Sequence, residues 1–176
     1  MSTKDMSETT TTERIVTRYA VRVVLLDSFN SILLLSTRDA SNPDFIESWE
    51  VPGGGANPNE SITDTAIREL FEETGIQLTP EDISQPLWVR DVRYSYRGER
   101  RLQHESICIA RIDKNAPRID ISGREPFETE DHQHYKWWTI DELKNSDAAF
   151  YPKSLPAHIT SLINRIAVNE PLEVWD

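Results

Sequence analysis

The sequence has little cysteine, no long apolar run and few basic residues for its acidic content. Cys108 is its single cysteine, which excludes an intramolecular disulfide and makes a reducing cytoplasm the expected compartment. No apolar run approaches the roughly 18 residues of a membrane span, so no membrane association is expected. Residues 1–5 also lack the charged-then-apolar layout of a secretory signal.

Acidic residues outnumber basic ones by 30 to 19, which gives a formal net charge of −11. This balance argues against a protein that coats nucleic acid, because such proteins usually carry net positive charge. The net negative charge does not exclude a small anionic ligand, since a bound divalent metal can reverse the local electrostatic field. The expected partner is therefore a small molecule, with no nucleic acid.

The 176 residues are predicted to fold as one domain behind a polar tail. Residues 1–13 are rich in threonine and cannot bury enough surface to become ordered, so a flexible tail is expected there. Residues 14–176 contain no internal repeat and no linker that would divide them. They are predicted to form a single domain.

Apolar and β-branched runs predict strands on both sides of a central helix. The predicted strands are Ile15–Asp27, Ile32–Leu35, Trp49–Val51, Leu87–Tyr94, about Arg101–Ile112 and Tyr135–Trp138. The central helix is predicted to begin near Ser61 and to end at Gly75, where a glycine can adopt the left-handed conformation. A short capped helix is predicted from Thr139, and a last helix from Ser154 to about Val168. This order predicts an α/β sandwich with a mixed sheet.

Glu69, Glu72 and Glu73 crowd three carboxylates onto the central helix, directly after Arg68. At about 100° per residue, they overlap the edge of the apolar arc instead of lying opposite to it. That arc is marked by Ile62, Ala66 and Leu70. Like charges so close together repel each other, and Mg²⁺ prefers oxygen ligands such as a loop carbonyl with two or three carboxylates. An ordinary solvated acidic helix is the alternative.

The stretch from Gly54 to Ile76 resembles the Nudix box, without a departure at any fixed position. It reads Gly54, five residues, Glu60, seven residues, and then Arg68-Glu69-Leu70-Phe71-Glu72-Glu73-Thr74-Gly75-Ile76. The flanks Trp49–Gly53 and Trp137–Leu143 are also similar to the usual surroundings of that box. The resemblance implies an α/β/α sandwich, a divalent metal (usually Mg²⁺, with Mn²⁺ possible), and hydrolysis of a nucleoside diphosphate linked to another moiety.

The resemblance also implies roles for individual residues. Glu69, Glu72 and Glu73 would bind the metal together with the carbonyl group of Gly53, and Arg68 would orient the glutamates through charge-assisted hydrogen bonds. Bound water would attack phosphorus, and Glu69 is the favoured base for its proton. Glu60 would secure the junction between the glycine loop and the helix.

Two glutamates outside the box are alternative bases, because family members differ in which glutamate serves. Glu105 lies on the return strand of the predicted hairpin, and Glu128 lies in the loop before Trp137. Glu128 is favoured for its loop position, and a solvated loop residue is an equally open interpretation.

The hairpin around Gly98 concentrates arginines in an otherwise acidic chain. Arg93 and Arg101 are predicted to bind substrate phosphate or base, as arginine does well. A charged hairpin that discourages edge pairing is an equally good interpretation. Tyr94 and Tyr96 could stack on a nucleobase, although aromatic residues on strands more often pack.

The sequence thus predicts a magnesium-dependent pyrophosphohydrolase that acts on a nucleotide derivative, with a homodimer possible as in other members of the family. A non-hydrolytic nucleotide-binding or regulatory domain of the same fold is the alternative, and the intact glutamate set argues against it. A third possibility is different chemistry on a diphosphate, such as isomerisation, which fold alone does not exclude.

Overall fold

The computed structural model describes residues 15–38, 44 and 46–175. The tail predicted for residues 1–13 lies outside the described residues. Among the described residues, no helix is long and apolar enough to cross a membrane.

Strands dominate the described part of the chain, with helices placed between and after them. The strands are β1 (Ile15–Leu26), β2 (Ile32–Thr37), β3 (Ser48–Glu50), β4 (Gly53–Gly55), β5 (Trp88–Tyr96), β6 (Glu99–Arg111), β7 (His132–Trp138), β8 (Ala149–Tyr151) and β9 (Leu172–Val174). The helices are α1 (Ile62–Thr74), α2 (Pro126–Asp131), α3 (Ile140–Asn145) and α4 (Leu155–Ile163), and a 3-10 turn spans Pro80–Asp82.

The sheet is mixed, as predicted, and consists of two groups of strands. In the first, β1 lies parallel to β6 and antiparallel to β4, and β5 lies antiparallel to β6 and parallel to β9. In the second, β2 pairs antiparallel with both β3 and β7, and β8 lies parallel to β3. The two groups join at the turn between β1 and β2, where Leu26 pairs with Ile32.

The second half of strand β1, from Ala20 to Leu26, is largely buried on both faces because helices cover both sides of the sheet. Val21, Val23 and Leu25 belong to the apolar cluster that includes Ala66 and Leu70 of α1. Alternate residues of β1 belong to a second cluster with α3 and α4; its members include Val24, Leu26, Leu143, Leu155, Ile159 and Leu162. The predicted α/β/α sandwich is confirmed.

Helix α1 begins and ends where its capping residues predict. The Ser61 side chain accepts a hydrogen bond from the backbone N–H of Asp64, and Gly75 ends the helix in the left-handed region with φ 70°. Its buried face includes Ala66, Leu70, Glu69 and Glu73, so two carboxylates do lie at the seam between helix and sheet. Ile62, which was assigned to the apolar arc, is 41% exposed.

Other predictions were wrong where backbone pairing or conformation overrides the local pattern. Helix α4 ends at Ile163 instead of Val168, because Arg165 adopts a positive φ of 57°, and Ile166 is exposed. Glu128 lies in the first turn of α2 and not in a loop. Strands β4, β8 and β9 were not predicted; each has three residues, too few to show a period.

Candidate active site

Arg68 is the centre of a cluster of charges where α1 meets the glycine strand β4. Its Nη1 donates to Glu69 Oε1 at 2.7 Å and to Glu72 Oε2 at 3.1 Å. Its Nε and Nη2 donate to the two oxygens of Glu60 at 2.7 Å each, and Nη2 also donates to the carbonyl oxygen of Gly55 at 2.8 Å. One guanidinium therefore holds three glutamates and the loop in fixed positions. With Glu73, these residues are called the cleft cluster.

Glu60 joins the loop to the helix, as the resemblance implies. Its Oε2 accepts hydrogen bonds from the backbone N–H of Asn57 and from the hydroxyl group of Thr65, both at 2.9 Å. The hydrogen bonds from Arg68, with those from Asn57 and Thr65, lower the pKa of Glu60 to about 2, although partial burial opposes this shift.

The glycines of β4 are required by what approaches them. A Cβ atom on Gly54 would lie 2.5 Å from Oε2 of Glu69, and a Cβ atom on Gly53 would lie 2.1 Å from the carbonyl oxygen of Val21. Gly53 also has φ 138°, and its N–H donates to Oε2 of Glu73 at 2.8 Å. Its carbonyl group, the predicted metal ligand, belongs to the same residue that positions Glu73.

Burial disfavours the charge on Glu69. It raises the pKa of Glu69 to about 7, in spite of the hydrogen bond from Arg68, and the charges of Glu73 and Glu72 add to the rise. The negative charge of the cluster therefore exceeds what one guanidinium compensates.

Glu128 lies near this cluster, although it is far away in sequence. Its Oε2 accepts a hydrogen bond from the backbone N–H of Glu125 at 2.8 Å. Arg124 donates through Nε to the carbonyl oxygen of Glu73 at 3.0 Å, and the charges of both Glu73 and Glu128 act on it. Burial still lowers the pKa of Arg124. The structure thus brings Glu128 to the predicted metal-binding glutamates.

Most of these side chains line a cleft of about 730 Å³. Its lining includes Gly53, Gly54, Glu69, Glu72, Glu73, Glu125 and Glu128. Basic and aromatic side chains line it as well, and they include Arg18, Arg22, Tyr94, Tyr96, Arg101, Tyr151 and Trp175. Arg101 therefore lies at the cleft, and its contact with substrate stays a prediction. Arg93 is exposed, does not line the cleft, and alternates along β5 with Tyr94, which does.

Glu105 is not placed for catalysis, because it belongs to a buried network. It accepts hydrogen bonds from Arg22 Nε at 2.8 Å, from Arg90 Nε at 2.7 Å and from the hydroxyl group of Tyr151 at 3.1 Å. Burial alone would raise the pKa of Glu105, but the two guanidinium groups lower it. Arg90 also pairs with Glu173 at 2.7 Å, and Arg22 pairs with Glu50 at 3.2 Å. Arg22, Glu50, Arg90, Glu105 and Glu173 are called the core network.

Sequence reasoning missed Arg18. It is half-buried at the cleft, and its Nη2 lies 3.0 Å from where a Cβ atom on Gly55 would be. It forms no ion pair with any described residue. The period-two alternation of β1 puts Arg18 on the same face as Arg22, and this was the available signal.

Across the described ranges, no three acidic, imidazole or thiol side chains are already arranged around one point as metal ligands. Existing hydrogen bonds hold the three helix glutamates away from a common point. Glu69 and Glu72 accept from Arg68, and Glu73 accepts from the backbone of Gly53.

The comparisons with known proteins agree with this geometry. The NUDIX domain family matches residues 16–158. An RNA pyrophosphohydrolase of Erythrobacter litoralis is 28% identical over 135 residues, which cover 72% of this chain and 78% of that protein. An m7GpppN-mRNA hydrolase of Danio rerio is 44% identical over 64 residues, which cover 36% of this chain. The match spans about a fifth (21%) of the length of that fish protein.

Solved structures show the same fold. A MutT protein from Methanosarcina mazei aligns with a TM-score of 0.55 at 18% identity, over 86% of this chain and 93% of its own. An Ap4A hydrolase from C. elegans aligns with a TM-score of 0.53 at 22% identity, over 84% of this chain and 98% of its own. Since the family match covers most of the sequence, and the glutamates, Arg68 and glycines of the box meet at one cleft, the chain belongs to the Nudix family.

Proposed function

We propose that the protein is a divalent-metal-dependent pyrophosphohydrolase that cleaves a nucleoside diphosphate linked to another moiety. The observation that carries the proposal is the cleft cluster, in which one arginine fixes several glutamates beside a cleft of about 730 Å³. The family match and the hydrolase names of the relatives support it.

Glu69, Glu72 and Glu73 would hold the metal, with Mg²⁺ expected and Mn²⁺ as the alternative. The donor set fits a hard divalent cation, because carboxylate oxygens are the ligands that Mg²⁺ prefers. The fit is also electrostatic, since burial first, and then the charges of Glu73 and Glu72, raise the pKa of Glu69, and a bound cation would favour its ionised form. When bound, the metal supplies neutralisation of pyrophosphate charge and activation of water.

Residues of the chain would perform the other steps of the reaction. Glu69 accepts the proton of the attacking water, while a P–O bond forms to that water and the P–O bond of the anhydride breaks. Arg68 positions Glu69 and Glu72. Glu128 is the alternative base, because it lines the same cleft as Glu69.

Arg18 and Arg101 are the proposed phosphate-binding residues. Both line the cleft, and Arg18 forms no ion pair with other residues in the described part of the chain, so its charge is available to an anion. Arg93 stays a prediction from the sequence, and its exposed position away from the cleft gives it no role in this proposal.

The names of the relatives support a substrate in which a nucleoside is joined to a phosphate chain. They are an RNA pyrophosphohydrolase, an mRNA cap hydrolase and an Ap4A hydrolase. We propose a small nucleotide derivative for this chain, because its net charge of −11 disfavours long nucleic acid. A cytoplasmic location and a homodimer belong to the same proposal, and light scattering of the purified protein measures the latter.

The test is a turnover screen with Mg²⁺, with Mn²⁺ and with EDTA. It includes nucleoside triphosphates, nucleotide sugars, dinucleoside polyphosphates and a short 5′-triphosphorylated RNA, and mass spectrometry identifies the products. We expect cleavage of a pyrophosphate bond that EDTA abolishes and added Mg²⁺ restores. Tight binding without turnover of any compound would instead favour the non-hydrolytic domain.

A further inference from the structure

Trp175, which directly follows strand β9, lines the cleft from outside the family-matched residues 16–158. Leu172–Val174 pair in parallel with Asp91–Arg93 of β5, and the backbone N–H of Trp175 donates to the carbonyl oxygen of Arg93 at 2.9 Å. The cleft of this chain therefore includes a side chain that the family pattern does not supply.

The core network fixes this segment in place. Oε2 of Glu173 accepts from Nη1 of Arg90 at 2.7 Å and from the backbone N–H of Lys153 at 3.0 Å. The ammonium group of Lys153 donates to the carbonyl oxygen of Val174 at 2.7 Å. Arg90 is almost completely buried, so β9 is tied to the interior of the molecule and not merely to its surface.

This anchoring holds the indole ring of Trp175 at the cleft. The ring centroid lies 5.7 Å from that of Tyr151 at an interplanar angle of 38°, and Nζ of Lys153 lies 4.3 Å from the Trp175 centroid. The indole N–H donates to Glu173. Trp175 nevertheless stays partly exposed and lines the cleft together with Tyr94 and Tyr96.

An aromatic wall in a charged cleft suits one part of a nucleotide. The phosphates require the cationic and metal-binding groups, whereas a nucleobase is flat and stacks on aromatic side chains with little regard to its identity. We propose that Trp175 stacks on the nucleobase of the substrate, which makes residues 172–175 a substrate-binding element. The inference rests on the proposed function for the class of substrate.

The test measures equilibrium binding, so that it does not depend on turnover. Calorimetric titration in Mg²⁺ gives the dissociation constants of ADP, GDP, CDP and UDP, with pyrophosphate as the ligand that lacks a base. Trp175→Ala should weaken the tightest of the four diphosphates about tenfold and should change pyrophosphate binding less than about twofold. Trp175→Phe should restore most of the affinity, because a phenyl ring still stacks.

Phe29→Ala is the matched control, since Phe29 is a 73% exposed aromatic residue that does not line the cleft. It should bind every ligand as the unchanged protein does. Thermal melting of each variant establishes that the fold is kept. If the Ala variant melts early, Trp175→Leu replaces it, because leucine keeps an apolar side chain that cannot stack, and it should show the same selective loss of nucleotide affinity.

The proposal is overturned if Trp175→Ala leaves all four nucleotide affinities unchanged, or if it weakens pyrophosphate as much as the nucleotides. Failure of the unchanged protein to bind any of the four diphosphates overturns it as well. Nucleotide binding that depends on Trp175 in a protein without hydrolysis would support the base subsite and contradict the proposed reaction.

Discussion

The cleft cluster and the core network are both built from arginines and glutamates, yet the first suits cation binding and the second suits stabilisation of the fold. The cleft cluster has one arginine, Arg68, for four glutamates, and it lies at the wall of a cleft. The core network has two arginines for three glutamates, and its central pair, Arg90 and Glu105, has no exposed side-chain surface.

The difference lies in charge balance and in access to solvent. In the core network the guanidinium groups lower the pKa of Glu105, so the pair is ionised and mutually compensated. In the cleft cluster burial raises the pKa of Glu69, and its carboxylate neighbours add to the rise. Four glutamates against one arginine leave an excess of negative charge at the cleft, which calls for a cation. Three glutamates against two arginines leave the core network more nearly balanced around a buried central pair, which serves structure.

The largest expected effect is a loss of turnover after a substitution in the cleft cluster. Glu69→Gln should reduce turnover by about a thousandfold, because it removes a proposed metal ligand and base, while the fold stays intact. Initial rates with the substrate found in the screen, and thermal melting of the same samples, measure the two effects. Wild-type rates in this variant would refute the assignment of Glu69.

A matched substitution in the core should act on stability instead. Glu105→Gln should lower the free energy of unfolding by about 3 kcal/mol, because it leaves two buried guanidinium groups without their shared carboxylate. Urea unfolding followed by tryptophan fluorescence measures the loss. Glu142→Gln, at an exposed helix cap, is the control and should change the free energy of unfolding much less, because glutamine can also serve at that position of the capping box. If the two variants unfold at the same urea concentration, the contrast between the clusters fails.

The smallest expected effect is on stability and its pH dependence, and it concerns Glu60. The pKa of Glu60 is lowered to about 2 from an ordinary value of 4.5. A group with a lowered pKa in the folded state stabilises the protein above its unfolded pKa, and the contribution is lost as the pH falls. Glu60→Gln should therefore cost about 1.5 kcal/mol at pH 7, and the difference from the unchanged protein should shrink between about pH 4.5 and pH 2. Unfolding curves across that range measure it; a constant difference would contradict the role of Arg68 as its partner.

The sequence predicted what depends on local periodicity and capping. The buried second half of strand β1 and the limits of α1 follow from patterns within a few residues, whereas the meeting of the glutamates with the glycine loop was implied by the resemblance to the Nudix box. The confirmed family and sandwich also followed from the box.

Features that depend on distant pairing could not be read in this way. Glu105 and Glu128 look alike as isolated glutamates, and only the packing of β6 against Arg22 and Arg90 separates them. Likewise, Trp175 reaches the cleft through pairing of β9 with β5, across a large separation in sequence. Arg18 lacked a motif, and its face of β1 is defined by the neighbouring strands.

The close approach of Glu69 to Gly54 has a consequence for how this site can vary among related sequences. Any side chain at position 54 would displace the carboxylate of Glu69, since even a Cβ atom would come within 2.5 Å of it. The observed position of the Glu69 carboxylate therefore requires glycine at position 54. A homologue that keeps the glutamate but has lost the glycine should hold that carboxylate in a different place.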